Sequence, residues 1–301
     1  MNETYFTIVN PAAGGGRCGK LALRALGRLR AAGLALEIRE TRVPGEATIF
    51  AHGAYAEGFR NFIAVGGDGT GFEIVNGLFP AALTGERASL GFLPLGTGNS
   101  FLRDFAPKDM ELAEFSIQGI LAHRRRPCDV IRLNHAGDSL FYINTMNMGF
   151  AADVATLTNR RLKFLGELGY LVGVLVCLAR LRRRPFPLLA GGERDARRCL
   201  FVAFSNSKYT GGKMMIAPHA SIDSGSIEYV HWGPIGRSGL IWNIKTLFDG
   251  THIHHRMASR RTAKRIEFEF DDAVDVVMDG EVFRLNVNSL EVLPAALDVM
   301  V

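Results

Sequence analysis

Apolar positions in the first third of the chain switch repeatedly between two periods. Thr4–Val9 reads as a strand that stops at Asn10-Pro11. Ala12–Gly19 is a glycine-rich loop; Leu21, Leu23, Leu26 and Leu29 then fall at helical spacing, and Gly33 closes that helix. Leu34–Glu40 predicts a second strand, Thr41–Ala47 a turn, and a second helix reaches Glu57. A third strand, Phe62–Val65, runs into Gly66-Gly67-Asp68-Gly69-Thr70, and the helical pattern resumes with Phe72, Ile74, Val75 and Leu78. A fourth strand, Ser89–Leu93, enters Pro94-Leu95-Gly96-Thr97-Gly98-Asn99-Ser100, after which Phe101, Leu102 and Phe105 predict another helix. One more helix is expected near Glu111–Leu121. Strands alternating with helices make a parallel sheet with helices on both faces.

After the arginine triplet Arg124–Arg126 the period changes. Strand signals dominate at Cys128–Leu133, Leu140–Asn144, Leu200–Ser205, Ser226–His231, Arg265–Phe270, Val274–Met278 and Val282–Leu285. Alternation is clear where Ile266, Phe268 and Phe270 interleave with Glu267 and Glu269. Short strands with turn signals predict an antiparallel sandwich or barrel. The expected boundary lies near Pro127, giving an α/β domain over 1–127 and a β-sandwich over 128–294 with a helical insertion at 157–184.

Ligands on parallel sheets sit at the carboxyl ends of the strands. Asn10, Thr41, Gly66–Thr70 and Gly96–Asn99 all fall there. A strand, a tight glycine turn and a helix together offer backbone N–H groups and a helix N-terminus to an anion. Asp68 within such a turn would repel a bare phosphate, so the pattern points to a nucleotide carrying Mg²⁺. The plainer reading of each turn is a steric need for glycine; two such turns at one sheet edge weaken it. The loop after the first strand is no Walker A site, because Gly19-Lys20 is followed by Leu21.

The 301 residues, 48% hydrophobic and 22% charged, suit one or two globular domains. Met1–Tyr5 leads directly into a strand without a signal-peptide pattern. Cys18, Cys128, Cys177 and Cys199 are far apart, with neither metal-ligand spacing nor a disulfide framework. Reduced thiols in a cytoplasm are therefore expected. The apolar run Leu168–Leu181 is shorter than the roughly 20 residues a bilayer span needs. Net charge is +5, and arginines cluster at 124–126, 180–184 and 256–265. A solvated face, an anionic membrane surface or a polyanionic ligand would each account for them. Nucleic acid is disfavoured, since no recognition motif accompanies the clusters. His252, His254 and His255 follow Gly250 without defined ligand geometry and read as structural.

Gly66-Gly67-Asp68-Gly69-Thr70 with Glu73 and Val75-Asn76-Gly77-Leu78 resembles the signature of the diacylglycerol kinase catalytic-domain family, which includes bacterial lipid kinases and sphingosine kinases. Asn10-Pro11, Gly96-Thr97-Gly98-Asn99 and Asp279-Gly280-Glu281 match further motifs of that family in the same order. The resemblance implies an ATP-binding α/β domain, a β-sandwich, a lipid substrate held between them or in the second domain, and a tail, 295–301, that returns to the first. It implies that Asn10, Thr41, Gly66, Gly67, Asp68, Gly69, Thr70, Gly96, Thr97 and Asn99 hold the nucleotide. Glu281 is then the base for the lipid hydroxyl, with Asp68 the second choice. Asp279 and Asp129 are supporting carboxylates, Asp129 with Asp68 in the Mg²⁺ network, and Asp279-Gly280 also reads as a plain hairpin turn. The apolar stretch 157–181, with Phe150 and Phe164, would form the acyl cleft, and the arginines would hold the enzyme at the inner, anionic membrane surface.

Two departures stand out. Ser100 replaces an acid expected beside the Mg²⁺. In the loop where relatives hold a structural Mg²⁺, Asp223 comes one position early and Ser224 takes the matching place. An NAD kinase and a non-catalytic nucleotide or lipid sensor are the competing readings.

Overall fold

A computed structural model describes residues 4–158 and 166–301, with the backbone alone at 166–171. The chain forms two compact units. The first comprises residues up to Val130 together with Leu293–Val301; the second is Ile131–Val292.

The first unit is α/β. Strands β1 (Thr4–Val9), β2 (Ala35–Glu40), β3 (Asn61–Gly66) and β4 (Ser89–Pro94) alternate with helices α1 (Arg17–Ala31), α2 (Glu46–Ala56) and α3 (Asp68–Leu78), and α4 (Leu112–Leu121) follows. The pairs among these four strands are all parallel, in the order β4-β3-β1-β2, with Val9 level with both Glu40 and Val65 and Gly66 level with Pro94. All four strands therefore end at one edge, where β1 delivers Asn10 and β2 delivers Thr41. The last residues add a further parallel strand beside β4, with Asp298, Val299 and Met300 opposite Ser89, Leu90 and Gly91. Leu29 of α1 and Ile117 and Ile120 of α4 close over Tyr5, Ile63, Val65, Leu93 and Met300 in one core cluster. Each such buried side chain contributes about 1.5–3 kcal/mol. Helices α2 and α3 pack on each other where Gly77 faces Thr48; a Cβ at Gly77 would come 2.3 Å from the Thr48 carbonyl oxygen.

The helix expected from Phe101 is only a four-residue 3-10 turn, Phe101–Asp104. The spacing of Phe101, Leu102 and Phe105 is helical, but Phe101 instead packs between the rings of Phe92, tilted to it, and Phe105, edge to face.

The second unit is a β-sandwich. One sheet is antiparallel, in the order β16 (Ala258–Ala263), β15 (Ile227–Trp232), β12 (Phe201–Ser205), β7 (Thr145–Gly149), β18 (Val274–Met278) and β19 (Glu281–Leu285). The other sheet contains β10 (Glu193–Asp195), β9 (Leu188–Ala190), β17 (Arg265–Phe268) and the first part of β20 (Val287–Met300), with β5 (Arg125–His135) and β6 (Asp138–Tyr142) beside it. Phe204 and Phe268 meet edge to face, ring centres 5.3 Å apart, with one ring from each sheet.

A short antiparallel pair, β8 (Arg184–Pro185) with β11 (Arg198–Cys199), and a short hairpin, β13 (Tyr209–Thr210) with β14 (Met214–Met215), complete the strands described. The helical segment starts earlier than expected, with α5 at Phe150–Leu157, and α6 ends at Ala179 (Gly166–Ala179). Phe164 lies outside the described residues. Two short helices, α7 (Arg237–Asn243) and α8 (Thr246–Asp249), fill a stretch that carried no clear helical pattern.

Candidate active site

The two glycine turns of the first unit touch. Gly96 N–H donates to the Gly66 carbonyl at 2.7 Å. A Cβ at Gly96 would fall 2.4 Å from the Gly67 Cα, and one at Gly66 would fall 2.3 Å from Thr70 Oγ1. No larger residue fits at Gly66 or Gly96 without moving backbone or the Thr70 side chain, which is why the sequence has glycine there. Helix α3 begins at Asp68, so the amides of Asp68 and Gly69 have no intrahelical acceptor.

The neighbouring polar residues hold this edge together. Asn10 Nδ2 reaches Thr70 Oγ1 at 3.4 Å, while Asn10 Oδ1 accepts from Ala12 N–H. Asn99, in the left-handed region at φ 50°, donates to the Gly96 and Pro94 carbonyls and so fixes the second turn. Thr41 donates its N–H to the Val9 carbonyl, which also lies 3.4 Å from its hydroxyl.

Glu73 completes the edge, and sequence reasoning gave it no role. Its carboxylate accepts from the amides of Gly45 and Ala47 at 3.0 and 3.1 Å, capping the start of α2 from a neighbouring helix. The available signal was an acid one turn into α3 opposite a Pro-Gly turn, legible only once α2 and α3 are known to pack together.

Asp68 does not point out as an isolated carboxylate. It accepts from Ser100 N–H at 2.9 Å and from Phe101 N–H at 3.5 Å, so it joins the first glycine turn to the second. Burial pushes its carboxyl above the ordinary range, and these amides, with the Ser100 hydroxyl, pull it back. Ser100 is therefore more than a lost acid: an aspartate in its place would set a second carboxylate against Asp68.

Each carboxylate expected at a metal has a protein partner of its own, Asp68 the amides just named. Asp129 is buried, and its Oδ1 accepts from Ala295 N–H at 2.8 Å, where Ala295 is held at φ 47°. Asp223 is exposed and takes the Ser221 hydroxyl, while Ser224 bonds Ser226. Among the described residues no three His, Cys, Asp or Glu side chains form a metal-binding group. A Mg²⁺ held chiefly by protein does not fit this arrangement; a Mg²⁺ that keeps phosphate and water ligands requires few protein groups.

In the second unit, Met278 pairs with Glu281 across the two-residue turn Asp279-Gly280. Both turn residues have positive φ, 46° and 92°, as a hairpin with the twist of its strands requires. Asp279 is buried and its carboxylate accepts from the amides of Ile143, Asn144 and Thr145 at 2.9–3.2 Å. Asp279 thus pins the turn, and Glu281, two residues on, stays exposed at the strand start.

An apolar cavity of about 180 Å³ also lies in this unit, walled by Phe150, Val154, Val174, Leu178, Phe201 and Leu240 among others. Phe150 meets Val174 and Leu178 of the apolar stretch 157–181 in this wall. The volume is below the roughly 300 Å³ of ordinary small-molecule sites, and suits a slender chain more than a head group. His252 is buried, with its ring nitrogens 3.2 and 3.1 Å from the carbonyls of Thr246 and Ile216. Burial holds its pKa below the usual range.

A glycine-walled edge on a parallel sheet, with a β-sandwich carrying an apolar cavity, defines a class: an α/β-plus-sandwich protein suited to an anion and an apolar ligand. Residues 4–133 match the diacylglycerol kinase catalytic domain, and residues 144–301 match the YegS C-terminal NAD kinase beta sandwich-like domain. The chain is 29% identical over 300 residues to a diacylglycerol kinase of Mycobacterium tuberculosis, covering 97% of this chain and 93% of that one. It is 34% identical over 204 residues to a protein named probable lipid kinase YegS-like from Cronobacter sakazakii, spanning 66% of this chain and 65% of that relative. A crystal structure of a diacylglycerol kinase from Bacillus anthracis superimposes with a TM-score of 0.77 at 25% identity, covering 99% of this chain and 96% of that one. The chain belongs to the diacylglycerol kinase catalytic-domain family and is an enzyme of the lipid kinase class.

Proposed function

We propose that the protein transfers the γ-phosphoryl group of ATP to the hydroxyl of a diacylglycerol or a lipid of similar shape. The close contact of Gly67 with Gly96 carries this reading: it leaves two turns of backbone and the start of α3 open to a triphosphate. Such transfer depends mainly on positioning and on offsetting phosphate charge. Asn10, Thr41, Gly66–Thr70 and Gly96–Asn99 would bind the phosphates and nucleotide, with Thr97 in the second turn. Asp68 would keep the two turns in register.

The lipid hydroxyl oxygen bonds to the γ-phosphorus as the bond to the β-phosphate oxygen breaks, releasing ADP. Glu281 takes the hydroxyl proton, and Asp279 positions it through the hairpin. The apolar cavity beside Phe150 and Leu178 would take an acyl chain. Names of relatives support diacylglycerol as the first acceptor to test.

The deciding assay uses labelled ATP, Mg²⁺ and diacylglycerol in mixed micelles, with sphingoid bases and NAD in parallel. A labelled phosphatidic acid is expected. Transfer to NAD alone, or ATP binding without transfer to any lipid class, would overturn the proposal.

A further inference from the structure

Two of the three arginine clusters are engaged within the fold. Arg124 and Arg126 lie over the rings of Phe115 and Phe105, and Arg125 donates to Asn61. Arg260, Arg261 and Arg265 pair with Glu228, Glu193 and Glu267. The remaining cluster differs. Arg184 pairs with Asp153, but Arg183, Arg198 and Arg237 line an open hollow of about 880 Å³ with Leu181, Pro234 and Ser238.

Among the described residues no acid lines this hollow, and none of the three guanidinium groups is in an ion pair. Their contacts are with main-chain carbonyls. Arg183 Nε donates to Ile235, Arg198 Nε to Arg183, and Arg237 donates to Leu178 and Ala179 at the end of α6. A guanidinium has five N–H donors, so each retains donors for an anion.

Helix α7, which brings Arg237 and Ser238 to the hollow, then presents apolar side chains to solvent. Ile241 is 57% exposed and Trp242 85%; Ile244 and Phe248 follow at 44% and 51%. Buried Leu240 and Leu247 anchor this knuckle from below. Ile241, Ile244 and Phe248 also wall the apolar cavity, as does Val174 of α6. Val172 and Leu175 of α6 are exposed as well.

Unpaired arginines beside exposed Trp and Phe complement one partner best, an anionic bilayer. Phosphates there neutralise the guanidinium groups, while the aromatic rings enter the head-group boundary. We propose that the α7–α8 knuckle is the membrane-docking surface. Trp242, Ile241 and Phe248 enter the lipid, and Arg183, Arg198 and Arg237 take lipid phosphates in the hollow. Given the lipid-kinase reading, on which this last point rests, the cavity wall formed by Ile241, Ile244 and Phe248 faces the lipid phase and receives an acyl chain directly from it.

Binding to vesicles tests this without nucleotide or acceptor lipid, so the result stands apart from catalysis. The full chain is mixed with vesicles of phosphatidylcholine alone or of phosphatidylcholine with phosphatidylglycerol, and sedimented. Binding is expected on the anionic vesicles only, with a blue shift in tryptophan emission. Of the two tryptophans, Trp232 is fully buried and Trp242 exposed, so the shift should vanish in W242F.

Trp242→Glu should weaken vesicle binding about tenfold, and R198Q and R237Q each about fivefold. Circular dichroism and thermal melts check that these variants remain folded. No binding to anionic vesicles, or binding unchanged in both Trp242→Glu and R198Q/R237Q, would overturn the proposal. So would lipid-free dimerisation abolished by Trp242→Glu, which would assign the knuckle to a second copy of the chain. Phosphorylation of diacylglycerol in micelles by a chain that ignores vesicles would remove the docking surface and leave the kinase reading intact.

Discussion

Gly96 approaches Gly67 so closely that a methyl group on Gly96 would fall 2.4 Å from the Gly67 Cα, whereas a methyl group on Gly67 would meet nothing nearer than the Gly96 Cα at 3.4 Å. The contact is asymmetric. Gly96→Ala must push the two turns apart, costing about 1–3 kcal/mol as overpacking does. ATP affinity, measured by calorimetry, should fall at least tenfold. Gly67→Ala should lose less than half as much binding free energy. Equal effects of the two substitutions would disprove this geometry.

Asp68 joins the turns by accepting from Ser100 and Phe101. Asp68→Ala leaves two amides without their acceptor and should cost about 2 kcal/mol in urea unfolding. Ser100→Ala removes only the hydroxyl and should cost about 1 kcal/mol. Turnover should drop in both variants, much further in Asp68→Ala. A fully active Asp68→Ala would remove Asp68 from the site.

Glu281 and Asp279 should separate by what they damage. Glu281→Gln keeps shape and hydrogen bonding but would lose the proposed proton acceptor, so kcat should fall by about two to four orders of magnitude while ATP binding persists. Asp279→Ala leaves the amides of Ile143, Asn144 and Thr145 unsatisfied. It should lower thermal stability as well as kcat, a loss of about 2–3 kcal/mol. A stable Asp279→Ala variant with normal kcat would show that the hairpin needs no pin.

His231 sets a pH limit on the second unit. It is buried beside Asp195, and among the described residues neither ring nitrogen has a hydrogen-bond partner. Burial lowers its pKa from 6.5 to about 4, although Asp195 opposes the shift. The unfolded chain therefore takes up a proton that the folded chain refuses. The His231 contribution is complete above about pH 6.5, falls as pH drops towards 4, and is exhausted below that, a loss of at most about 3 kcal/mol. Asp195 adds a second decline. The Arg197 hydrogen bond holds its pKa at about 2, so that contribution is present above about pH 4 and disappears between there and 2. Arg197 is half exposed, which keeps the second loss small. His231→Phe should flatten urea stability between pH 7 and 4; an unchanged slope would refute the assignment.

The first unit was legible because its signals are local. Glycine turns punctuate each strand, and β1 to β4 emerge within a residue or two of the pattern that predicts them. The second unit hid strands whose partners are distant. Thr145–Gly149, with two methionines and an asparagine, has little strand propensity, yet it runs between β12 and β18 in the middle of its sheet. Ala258–Ala263 looked like a basic tract, but Arg260 and Arg261 are exposed side chains of an edge strand. The site divided in the same way. Glycine positions could be read from the sequence, whereas the tasks of Glu73, Asp279 and Ser100 depend on amides brought to them by tertiary packing.

The last strand of the first unit has a consequence for biogenesis. Asp298–Met300 pairs with β4, Asp298 meets Arg87, and Val301 N–H reaches the Arg124 carbonyl. Ribosomal synthesis supplies these residues only after every strand of the sandwich has been made. The first unit thus waits, with the flank of β4 uncovered, until the residues that follow the sandwich have been made, and no single cut in the gene can release it whole.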